Sequence, residues 1–83
     1  MTDADTLRDY VRDLVPLIVE EAEEARRASK RLATAEDRAF ESGKAFGTYL
    51  ALSIMTEQAR AFEIPLEEIG LERVDAEREL AMK

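Results

Sequence analysis

The side chains whose number and spacing could do chemistry are carboxylates: Glu20, Glu21, Glu23 and Glu24 crowd one short run, and Glu67 and Glu68 follow as a pair. Clustered carboxylates can hold hard cations. Di-iron helical bundles, however, draw on inward-facing Glu-x-x-His pairs, and the chain has no histidine. A calcium loop alternates Asp or Asn about a central glycine, and none of these acids stands in such a loop. The run reads instead as the solvated face of a helix, with Glu20, Glu23 and Glu24 as the acids to present to a basic or neutral protein partner.

The bases Arg26, Arg27, Lys30 and Arg31 could touch phosphate. They stand among acids, lack interleaved aromatic residues, and belong to a chain of formal net charge −7, which repels a nucleic-acid backbone at long range. Pairing within the helix, as of Glu23 with Arg27 one turn later, accounts for them. No nucleic-acid partner is expected.

Nucleophilic catalysis has little to work with. There is no cysteine and no histidine, no Gly-rich phosphate loop, and no Ser-x-x-Lys arrangement in a plausible pocket. Ser29 and Ser53 fall on helical segments. No catalytic residue, metal ligand or cofactor site is assigned, and the chain is not expected to be an enzyme. Phe40, Phe46, Tyr49, Met55 and Phe62 could line a pocket for a small apolar ligand, but at helical spacing such residues fill interiors by default.

The elements that position these groups are read from periodicity. Leu7, Val11, Leu14, Ile18, Ala22, Ala25, Ala28 and Leu32 form one apolar stripe, flanked by Tyr10, Val15 and Leu17. This predicts a helix over about 4–32, capped by Asp3 or Asp5. Pro16 should kink it, because a prolyl nitrogen donates no hydrogen bond and crowds the carbonyl of Arg12. A break at Val15 is the alternative. Thr34, followed by Ala35, Glu36 and Asp37, marks a new helix start, so a turn is expected near Ala33 and Thr34; a single rod from Leu7 to Phe62 competes with it.

The second helix is expected over about 35–62, with Phe40, Gly43, Phe46, Gly47, Leu50, Ala51, Ile54, Met55, Ala61 and Phe62 as its core-facing side. Gly43 could alternatively stop it. Tyr49 and Leu52 fall off that side, and in a lone hairpin nothing would cover them. Glu21 and Gln58 lie near apolar stripes and need polar partners, in one reading a pair with Lys44. Pro65 should open a short turn over 65–69 ending at Gly70, and a frayed helix over 75–81 completes the chain.

The fold class is therefore all-α: a long antiparallel helical hairpin with short C-terminal helical segments, forming a four-helix bundle by dimerisation. Size argues the same way. A chain of 83 residues buries only about 60% of its unfolded surface, and without disulfides or a metal a partner subunit is the remaining stabilising device. Small residues at Gly43, Gly47 and Ala51 let another backbone approach. The predicted interface is Gly43, Phe46, Gly47, Tyr49, Leu50, Ala51, Leu52, Ile54 and Met55.

No run of residues suits a membrane span, and the N-terminal sequence lacks the basic and apolar regions of a signal peptide, so a cytoplasmic location is expected. The functional expectation is a small acidic interaction module that self-associates. An inhibitor of the antitoxin or immunity type, masking a basic site, is the alternative; a small-ligand-binding bundle is a third.

Overall fold

In the computed structural model, which describes residues 2–81, the chain is helical: α1 spans Asp3–Arg31, α2 spans Ala35–Ala61, a 3₁₀ turn spans Leu66–Ile69, and α3 spans Ala76–Ala81. The first two helices pack along their lengths, and the C-terminal segment returns across both, giving an elongated body of 49 × 22 × 15 Å.

The N-terminus of α1 is capped by Thr2, not by Asp3 or Asp5. Its hydroxyl accepts from the Asp5 N–H at 3.1 Å, while the Asp5 carboxylate accepts from the Thr2 N–H at 3.3 Å. That reciprocal pair satisfies two amides that the helix leaves free. Asp5 therefore serves as the third helical residue of the box. The helix runs unbroken through Pro16, so there is no break at Val15.

Leu32 closes α1, and Thr34 opens α2 by accepting from the Asp37 N–H at 3.1 Å. The single rod is thereby excluded. Arg38 reaches back to the carbonyls of Leu32 and Ala33, each at 3.0 Å, which ties the turn down. Gly43 lies within α2 and does not stop it.

The core is Val15, Ala22 and Ala25 of α1, Ala45, Tyr49 and Leu52 of α2, and Leu71 and Ala76 of the returning segment. Small side chains (Ala22, Ala25, Ala45 and Ala76) and the larger Val15, Tyr49, Leu52 and Leu71 share this core, and Leu52 and Leu71 are almost wholly enclosed. This corrects the sequence reading of α2. Tyr49 is 3% exposed and Leu52 is fully buried, so both are covered by their own chain, whereas most of the side assigned to the core faces outward. The helix carries apolar residues on two opposite sides, and α1 with the C-terminal segment covers the Tyr49 side.

Two backbone positions steer the return. Beyond α2, Glu63 adopts a left-handed φ of 57°. The Glu63 N–H donates to the Arg60 carbonyl at 3.1 Å and that of Ile64 to the Ala59 carbonyl at 2.8 Å, the two bonds of a Schellman ending. Gly70 is left-handed at φ 77° and ends the 3₁₀ turn. A Cβ there would stand 2.8 Å from the Arg12 carbonyl oxygen, the same carbonyl that Pro16 deprives of its usual amide donor. The side chain of Arg12 in turn donates to the Glu68 carbonyl at 3.4 Å.

These positions predict opposite responses. Since a side chain in the left-handed region costs about 1–2 kcal/mol, Glu63→Gly should stabilise the fold by about 1 kcal/mol. Gly70→Ala should destabilise it by about 2 kcal/mol or more, because the added methyl also meets the α1 backbone. Urea unfolding followed by circular dichroism measures both.

Candidate functional site

The side of α2 turned away from α1 is the most conspicuous surface of the molecule. Phe40 is 70% exposed, Ile54 57% and Phe46 54%, and Phe62 at the end of the helix is 72% exposed. Leu50 is exposed among them. Although they are spaced four to eight positions apart, at about 100° per residue they fall on one broad arc. Gly43 and Gly47 lie on the same arc, with no atom within 4 Å of where a Cβ would stand. Glycine costs about 0.5–1 kcal/mol in a helix interior, and packing within the chain returns nothing at either position.

Of the residues predicted to form an interface, Gly43, Phe46, Gly47, Leu50, Ala51 and Ile54 lie on this exposed surface. Met55 is half-buried against the core, and Tyr49 and Leu52 are interior. Removing those two from the surface is a correction with a clear cause: Ala45, Tyr49, Leu52, Thr56 and Ala59 form the buried arc of α2, where Tyr49 and Leu52 join the core with α1 and the C-terminal segment. Leu7, Tyr10 and Leu17 of α1 are also exposed, at 59% or more. Exposed large apolar residues are therefore present on α1 as well.

Charged groups form a separate set of contacts. Glu24 accepts from Arg27 at 3.0 Å and Arg31 at 3.2 Å, and those two guanidinium groups hold its carboxyl below the ordinary carboxylate range. The expected Glu23–Arg27 pairing is replaced by this arrangement. Glu20 and Glu23 are exposed. Glu21 is exposed as well and lies 3.9 Å from Lys44 of α2, while Gln58 also faces outward. Neither Glu21 nor Gln58 is a buried polar group. Among the described residues no three acids converge in a geometry suited to a metal ion, and no helix is long and apolar enough to cross a membrane.

Arg26 is the one member of the basic run drawn inward. Its guanidinium lies 4.8 Å from the centre of the Tyr49 ring, pairs with the Glu79 carboxylate, and donates to the Glu79 carbonyl at 2.6 Å. A cation over an aromatic face, fixed by charge-assisted hydrogen bonds, fastens α3 to the hairpin. Beside it, Ser29, Lys30, Phe46 and Leu80 border a cleft of about 300 Å³. Sequence reasoning missed this clamp, because nothing local distinguishes Arg26 from Arg27.

No family model, curated protein or solved structure matches the chain.

The clamp makes one pH-dependent prediction. Burial, and secondarily the Glu79 carboxylate, hold the Tyr49 phenol above the ordinary tyrosine value of 10.0, against the opposing pull of Arg26. The folded state thus favours the neutral phenol. Its stabilising contribution is complete below pH 10 and is lost as pH rises through the folded value. In a Tyr10→Phe variant, ultraviolet titration should place the remaining phenol above 10.0, with stability declining over that alkaline range. A midpoint at or below 10.0 would show that Tyr49 is not enclosed.

Proposed function

We propose that this chain is a non-catalytic helical interaction module that self-associates, two hairpins packing through the outer side of α2 to complete a four-helix bundle. The observation that carries the reading is the exposure of Phe40, Phe46, Leu50, Ile54 and Phe62 along one helix. Single exposed apolar residues are ordinary, but several large ones along one helix and its cap support a contact surface.

Size and charge support it. A small chain without disulfides gains most from burying a second face against a partner. The acids do not compete for the role, since they are exposed and Glu24 is already engaged by two arginines. In this reading the self-associated bundle presents the acidic sides of α1 to solvent and to further protein partners.

Sedimentation equilibrium tests the proposal. The wild-type chain should sediment at about twice its 9.4 kDa mass, and Ile54→Glu should be monomeric, because it places a charge within an apolar contact. Ile54 is exposed within one copy, so the variant should keep its helical circular dichroism. A wild-type chain that remains at 9.4 kDa at high concentration would overturn the reading.

A further inference from the structure

We infer that the occupant of the outer side of α2 is the same helix of a second copy, running antiparallel about a two-fold axis that passes between Leu50 and Ala51. The inference rests on the proposed self-association and goes beyond it by assigning orientation and register.

Charge is the first argument. The stretch from Ala45 to Thr56 is the longest run in the chain without a charged residue, and in a molecule of net charge −7 it is where two copies meet with least repulsion. Lys44 bounds it at one end and Glu57 at the other. Parallel pairing would bring like charges together at both ends. Antiparallel pairing centred on the run brings opposite charges to both.

Shape is the second. In that register Ile54 of one copy lies over Gly47 of the other, Phe40 over Ala61, and Leu50 beside Ala51. Ile54 and Phe40 thus meet small residues, and Phe46 falls opposite Met55 of the partner. The space at Gly47, where no atom of its own chain comes within 4 Å of a Cβ position, becomes the recess for a partner's Ile54. Interdigitation of large and small residues is how close-packed helix interfaces form.

The chain has no cysteine, which permits a direct test by cross-linking single-cysteine variants under mild oxidation. Leu50→Cys, near the axis, should link to itself. Gly47→Cys and Ile54→Cys should link to each other when mixed, and far less when each is oxidised alone. Gly47→Leu, which fills the recess while favouring the helix, should weaken dimerisation about tenfold or more with no loss of helicity.

Self-linking by Gly47→Cys and Ile54→Cys, without the mixed product, would establish a parallel pair and overturn the inference. A dimer in which none of these positions links would place the contact elsewhere and overturn it too, leaving self-association intact. A chain that sediments as a monomer removes the inference and its premise together.

Discussion

The inward orientation of Tyr49 and Leu52 is the constraint from which the rest of the structure follows. Once those two side chains lie between α1 and the returning C-terminal segment, the rotation of α2 about its axis is set. Ala45, Thr56 and Ala59 are then drawn inside with them, and the arc of Phe40, Leu50 and Ile54 must face outward. A helix cannot turn one residue without turning its whole surface. Interior packing and exterior greasiness are two consequences of the same rotation.

The C-terminal return is held at both ends by contacts with α1. At the open end of the hairpin, Pro16 leaves the Arg12 carbonyl without an amide donor, and Gly70 packs directly over that carbonyl in a conformation that suits a residue lacking Cβ. Nearer the turn, Arg26 stacks on Tyr49 and grips Glu79. Between these points Leu71 and Ala76 complete the core. The short α3 has few residues with which to hold itself in place, so its position depends on side chains of the long helices.

Much of the architecture was legible from local chemistry. Thr34 before Glu36 and Asp37 announces a helix start; Pro65 and Gly70 bracket a short turn; the absence of strand-like alternation leaves an all-helical chain. The cap at Thr2 was also open to sequence reading, since Asp5 three residues on completes a capping box. The inner side of α2 was not. Ala45, Tyr49, Leu52, Thr56 and Ala59 recur every three or four residues, and so do Phe40, Gly43, Gly47, Leu50 and Ile54. Periodicity supports both arcs, and weighing them by bulk favours the phenylalanine side, which is the exposed one.

The sequence by itself therefore determined the elements: two long helices, the turn between them and the short C-terminal segments. Caps, prolines, turn glycines and helical spacing act through neighbours in the chain, so their effects can be read locally. Tertiary structure alone decided which side of α2 is interior and which basic residue becomes a clamp. Those choices depend on how well alanines on one helix fit those on another and on where a distant segment returns, and neither is encoded within a single turn of helix.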